Sequence, residues 1–178
     1  GISGNLEFDS TWGVAAQAIG MKVNFINPVL KSIIDVLSMM AHLDVEAGKP
    51  RKKKDDEFVQ GRHVTGLMSM TSAEAQASVA LSFTEPVILE IANRMMPSVS
   101  PTAVDGMVID LVGELANMVS GSAKTYLEKE KYTFDLSLPT VIVGSDYLIA
   151  HKTRAPVIFL PFTTASGDFF VEATYQSA

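Results

Sequence analysis

The sequence predicts an α+β fold, an antiparallel sheet with long helices packed on it. Three observations carry that expectation. Apolar residues recur at i, i+3, i+4 and i+7 through two long stretches, the spacing of a helix with one buried side. Two pairs of short strand-like runs are each separated by a brief turn, as in hairpins. Helices and hairpin-linked strands are mixed along the chain, the order expected of α+β architecture.

Taken in order, residues 1–20 stand apart. Glu7 and Asp9 precede the small-residue stretch Trp12 to Gly20, and no basic residue stands before it, which disfavours a secretory signal. Gly1 is no natural initiator, whereas Met21 opens a convincing domain. Residues 1–20 are therefore expected to be a tag remnant or flexible leader, and residues 21–178 a single domain. Phe25, Val29, Ile33, Ile34, Leu37 and Met40 give a helix from about Asn24 to His42, with Pro28 in its first turn. Ala47 to Glu57 is a charged connection, in which Asp55-Asp56-Glu57 nearly cancels the basic run Arg51 to Lys54. A solvated hairpin or a charged edge strand fits that segment better than a basic binding patch.

His63 to Thr71 and Ala75 to Phe83 read as a hairpin. Thr84 is placed as an N-cap, with Pro86 in the first turn of a helix ending near Met96. Pro97 and Pro101 then break the chain, and Ser100 is a candidate cap for a long helix running to about Lys129. Thr140 to Val143 and Tyr147 to Lys152 are strand candidates. Val157 to Thr163 and Phe169 to Tyr175 form a C-terminal hairpin around Gly167-Asp168.

Composition narrows the function. At 178 residues and 47% hydrophobic, the chain can bury a substantial core as one domain. A net charge of -6, from 14 basic and 20 acidic residues, argues against nucleic acid as a partner. With no cysteine there is no disulfide, thiol chemistry or Cys-ligated zinc. No apolar run approaches the ~18 residues that membrane insertion requires. His42, His63 and His151 show no metal-site spacing, so no metal is expected. Neither a Gly-x-Ser-x-Gly elbow nor a Gly-x4-Gly-Lys phosphate loop is present. The nine methionines, mostly in apolar helical patterns, read as core filling.

The long helix carries the most information. Val104, Met107, Val108, Leu111, Val112, Leu115, Met118 and Val119 form its apolar band. Asp110, Glu114, Asn117 and Gly121 fall at offsets that align them, at about 100° per residue, on a second stripe. Gly106 and Gly113 lie close beside it. Each interior glycine costs on the order of 1 kcal/mol against alanine, which makes sense if another molecule must approach that side closely. A carboxylate and an amide one turn apart, on a surface cleared of bulk, mark a candidate docking and chemistry site.

The pattern Asp110-x3-Glu114-x2-Asn117-x3-Gly121 resembles the signature of the CheC/CheX phosphatases, and the chain looks most like the CheX branch. These are cytoplasmic proteins of bacterial chemotaxis that dephosphorylate the response regulator CheY. The resemblance implies a CheC-like two-layer fold and a protein-aspartyl-phosphate phosphatase. It implies that Asn117 orients the attacking water and that Glu114 docks a lysine of the phosphorylated CheY-like regulator. Asp110, Gly113 and Gly121 become supporting, partner-facing positions. The chain would need no cofactor, since magnesium would sit in the regulator's receiver domain, and it would form a homodimer joined along strands. The competing reading is a non-catalytic CheC/FliM-like binding module, against which the retention of both Glu114 and Asn117 counts. Glu90-Ile-Ala-Asn93 is a second Glu-x2-Asn, but Pro86 and Pro97 replace its flanking Asp and Gly, so it is read as a chance repeat.

Overall fold

The computed structural model describes residues 17–18, 22–145, 147–151 and 153–178. Nearly all of the expected leader, and Met21 with it, lies outside the described residues. Helix α1 (Val23–Ala41) is followed by two-residue strands β1 (Glu46–Ala47) and β2 (Arg51–Lys52). A hairpin follows, β3 (Val64–Thr71) and β4 (Ala75–Phe83), then helices α2 (Glu85–Met95) and α3 (Gly106–Lys129). Short β5 (Asp135–Leu136) and β6 (Thr140–Val143) precede the C-terminal hairpin of β7 (Ile158–Thr164) and β8 (Gly167–Ser177). Among the described residues the fold is α+β, three helices packed on an antiparallel sheet of order β1-β7-β8-β4-β3-β5, with β2 also on β7 and β6 also on β3.

Strand alternation makes the two layers. Phe169, Val171 and Ala173 of β8 and Phe83, Leu81 and Val79 of β4 point to one face and are almost wholly buried. Against that face α1 lays Phe25, Val29, Ile33 and Leu37, and α3 lays Val108, Val112, Leu115 and Val119. Among the described residues, α1 alone is long and apolar enough to cross a bilayer. Eleven of its residues are buried inside this protein, so it is a core helix.

The opposite face of the sheet is polar but covered. Glu172 of β8 is fully buried there, in contact with Arg62 and 3.5 Å from both Lys53 Nζ and His151 Nε2. Arg62 Nε donates to Ser82 Oγ at 3.0 Å, and its guanidinium also donates to the Tyr147 carbonyl oxygen at 3.3 Å. His151 Nδ1 pairs with Ser78 Oγ at 2.9 Å. The carboxylate thus ties the β2 segment, the start of β3 and the segment after β6 to the sheet's second face.

Several expectations are corrected. Tyr147 to His151 is not a strand; it is a strap laid over the polar face, and Lys152 lies outside the described residues. Lys53, expected on a solvated face, is 4% exposed because it reaches Glu172. Arg51 does remain at the surface, paired with Glu57, and that pairing holds the Glu57 carboxyl down at about 2. Pro28 is the sixth helical residue of α1, one turn later than expected. The last hairpin turns at Ala165-Ser166, where the Thr164 hydroxyl accepts from Ser166 N and Gly167 takes φ +129. Phe162 and Phe169 of this hairpin fill the core, Phe159 stacks on Phe170 on the other face, and β1 and β2 cover β7.

Candidate functional site

Helix α3 starts later than its prolines suggested. Its N-cap is Asp105, whose carboxylate accepts from the amides of Met107 and Val108 at 3.1 Å, satisfying two of the free donors of the first turn. Ser100, the predicted cap, instead sits at φ 48 in the preceding loop and donates to Asn93 Oδ1 at 2.9 Å.

The helix is held against the sheet by an unusually close approach. A methyl group on Gly66 of β3 would lie 3.1 Å from the Ala116 Cβ and 3.4 Å from Val112 Cγ1. Because this flank of α3 is pressed to the sheet, the opposite flank is presented outward. Asp110, Glu114, Asn117 and Gly121 are all exposed, as the sequence stripe requires. Glu114 and Asn117 are one turn apart, about 4.5 Å along the axis and about 60° around it. Among the described residues, neither side chain, nor that of Asp110, has a hydrogen-bond or ion-pair partner within the chain.

The glycines beside the stripe are not alike. Around Gly106 and Gly121 the space that a Cβ would enter is open. At Gly113, half-buried, a Cβ would meet Val141 Cγ2 of β6 at 3.6 Å, an ordinary contact. Edge strand β6 therefore forms a low wall along one side of the stripe, on the side nearer Asn117. Gly66, which sets the helix height, escaped the sequence reading; a lone glycine inside a strand pattern is its only signal.

The second Glu-x2-Asn is built differently. Asn93 Nδ2 donates to the carbonyl oxygens of Leu89 at 2.8 Å and Pro101 at 2.9 Å, while its Oδ1 accepts from Ser100. Glu90 is paired with Arg94 at 2.7 Å. Both side chains are engaged within the protein, and Asn93 fastens the loop leading to α3.

The sequence placed Met107 in the apolar band facing the core, yet it is 48% exposed. It lies seven residues before Glu114, within about 20° of the same line on the helix. Met39 and Met40 on α1 are likewise exposed, so core filling describes only part of the methionines. Among the described residues no cluster of three or more His, Asp or Glu side chains could hold a metal ion. His63 instead lies 3.5 Å from Glu85, and His151 belongs to the Glu172 cluster.

This geometry limits the chemistry. The stripe is an outward-facing helix side, so a small substrate would remain in water. A second macromolecule laid across it would exclude water and complete the site. Glu114 offers an anion to a cationic partner group, and the neutral Asn117 amide can both donate and accept hydrogen bonds.

Residues 64–163 match the family model described as chemotaxis phosphatase CheX. A CheC-like superfamily protein from Shewanella sp. PV-4 superposes with a TM-score of 0.81 at 40% identity, over 88% of this chain and 99% of that one. The CheY-P phosphatase CheX of Thermotoga maritima is 23% identical over 150 residues, 84% of this chain and 94% of that protein. A CheX from Borrelia burgdorferi, solved as a CheX–CheY–BeF3–Mg2+ complex, shares the fold with a TM-score of 0.69 at 21% identity, covering 85% of this chain and 97% of that one.

Proposed function

This chain belongs to the CheX family of chemotaxis phosphatases, and on that premise we propose that it hydrolyses the aspartyl-phosphate of a CheY-like receiver with Glu114 and Asn117. Water attacks phosphorus, the bond from phosphorus to the aspartyl oxygen breaks, the carboxylate leaves with the electron pair, and the water's proton passes to the released phosphate or to solvent. An acyl phosphate is already labile, so aligning the water in line with the leaving oxygen supplies much of the acceleration. Asn117 performs that alignment, since a carboxylate in its place would be repelled by the phosphoryl oxygens. Glu114 pairs with a lysine of the receiver and fixes the docking register. The receiver carries the magnesium ion, and Asp110, Gly113 and Gly121 leave room for its surface.

One observation carries this reading. Of two Glu-x2-Asn pairs, the α2 copy is consumed by internal bonds, whereas the α3 copy is exposed without a partner among the described residues. The test is loss of labelled phosphate from a panel of phosphorylated CheY-like receivers, with wild type and with Asn117→Ala. Acceleration by the wild type and about a hundredfold less by the variant is the expected result. Binding without acceleration would make the protein the non-catalytic, FliM-like module.

A homodimer is part of the same proposal. One edge of the sheet, among the described residues, is the outer side of β5 and β6, where backbone donors and acceptors await another strand. Sedimentation equilibrium at micromolar concentration should give twice the chain mass of 19.2 kDa. We place the reaction in the cytoplasm, where chemotaxis receivers act.

A further inference from the structure

We propose that Met107 and Val143 are apolar anchors of the receiver footprint, setting which receivers dock and leaving the chemical step untouched. This rests on the Glu114–Asn117 stripe being the receiver site. A specific interface covers about 800 Å² on each partner, far more than four aligned side chains on one helix provide. A receiver seated on the stripe must therefore also cover what flanks it.

Two exposed apolar side chains stand there. Met107 is 48% exposed in the first turn of α3, in line with Glu114 and about 10.5 Å from it along the axis. Val143 is 46% exposed on β6. Val141 packs beside Gly113, and strand alternation turns Val143 to that same helix-side face. Its position along the helix follows from register. Strand β3 runs in the direction of α3, for Gly66 meets Val112 and Ala116 while Met70 pairs with Leu136 beyond the helix end. Val143 pairs with Val64 at the start of β3, so it lies toward the Met107 end of the stripe. Gly106, with open space beside it, lies next to Met107. A partner there can reach the helix backbone while its apolar surface covers Met107 on the helix and Val143 on the wall. Charge at Glu114 gives register, and the apolar pair gives the footprint its affinity.

The test uses nearly isosteric polar substitutions, Met107→Gln and Val143→Thr, with Met107→Leu as rescue and Met39→Gln as control. Met39 lies on α1, which packs through Asp35 and Tyr126 against the side of α3 away from β6. Two readouts are taken: KM and kcat for phosphate loss from the phosphorylated receivers, and Kd for the same receivers loaded with beryllofluoride and magnesium. Each polar variant should raise KM and Kd about fivefold to tenfold with kcat within twofold, because part of a side chain's burial is lost. Met107→Leu should restore both, and Met39→Gln should change neither. Unchanged Kd for both polar variants, or a fall in kcat at constant KM, overturns the proposal. So does a shift in sedimentation mass at constant Kd, which would assign the patch to a second copy of this chain. A wild type that binds with this rank order but accelerates nothing would support the anchors and reject the phosphatase reading alone.

Discussion

Gly66 and Ala116 bring sheet and helix as close as this fold allows, since even a methyl group on Gly66 would lie 3.1 Å from the Ala116 Cβ. That contact fixes the height and rotation of α3, and with them the outward direction of Asp110, Glu114 and Asn117. The stripe's amphipathic spacing alone could not do so, because Met107, placed in the apolar band by its spacing, is exposed. Gly66→Val should therefore act twice. Overpacking between a strand and a helix backbone should cost about 1–3 kcal/mol of stability. Any variant that still folds should also lose phosphatase activity, because α3 must move away from β3. Urea unfolding and phosphate release together check it; full activity in a destabilised variant would show that the helix height is unimportant.

The two asparagines should separate stability from chemistry. Asn93→Ala removes an amide that holds both Pro101 and Ser100, and should cost about 1–3 kcal/mol with turnover per folded molecule retained. Asn117→Ala removes an exposed group and should change stability by less than about 0.5 kcal/mol while turnover collapses. Comparable losses of turnover from both would instead indicate a second active site on α2.

Reversing the charge of Glu114 should weaken docking. Glu114→Lys would face the receiver's lysine, and its Kd should rise at least tenfold at low salt. The wild-type Kd should itself rise with ionic strength, since an ion pair on an exposed helix is screened. Equal affinities for wild type and variant, measured by titration, would remove Glu114 from the interface.

Much of this molecule is legible in the sequence, and what is not has physical reasons. Long elements announce themselves through repeated apolar spacing, so α1, α3, β3 and β4 are found within a few residues of their ends. Strands β1 and β2 are two residues each, too short to show a period, and they exist because β7 lends them hydrogen bonds. The start of α3 is ambiguous in the sequence because Ser100 and Asp105 both suit a cap, and the choice is made by Asn93 of α2, which accepts from the Ser100 hydroxyl and donates to the Pro101 carbonyl oxygen. The stripe itself was readable because helix geometry alone aligns it. Gly66 and Val143 were not, since their importance arises only when β3 and β6 come to lie beside α3.

The buried carboxylate of Glu172 is another feature that only three-dimensional packing reveals. Burial alone would push its pKa up, but the facing His151, Arg62 and Lys53 outweigh that and hold it below the usual carboxylate range. Its charged form is therefore favoured by folding. The stabilisation is complete above the unfolded carboxylate value of about 4.3 and is lost as pH falls through the lower folded value. Glu172→Gln leaves Arg62 and Lys53 buried without their counter-charge and should cost about 3–5 kcal/mol at neutral pH. The difference between wild type and variant should shrink in acid, below about pH 4. A constant difference across that range, in urea melts, would show that the carboxylate's charge contributes nothing.

Gly113 gives the sharpest opposition between folding and function. It lies inside α3, where alanine is about 1 kcal/mol better than glycine. The added methyl would meet Val141 at 3.6 Å, a contact that costs nothing. Gly113→Ala should accordingly raise stability by about 0.5–1 kcal/mol. The same methyl would stand on the side of the stripe nearest Asn117, within the proposed receiver footprint. Phosphate release from the receiver should then fall severalfold while the melting temperature rises. Those two measurements on one variant decide why a helix keeps a glycine there. Higher stability with undiminished turnover would mean that the cleared surface at Gly113 serves no partner.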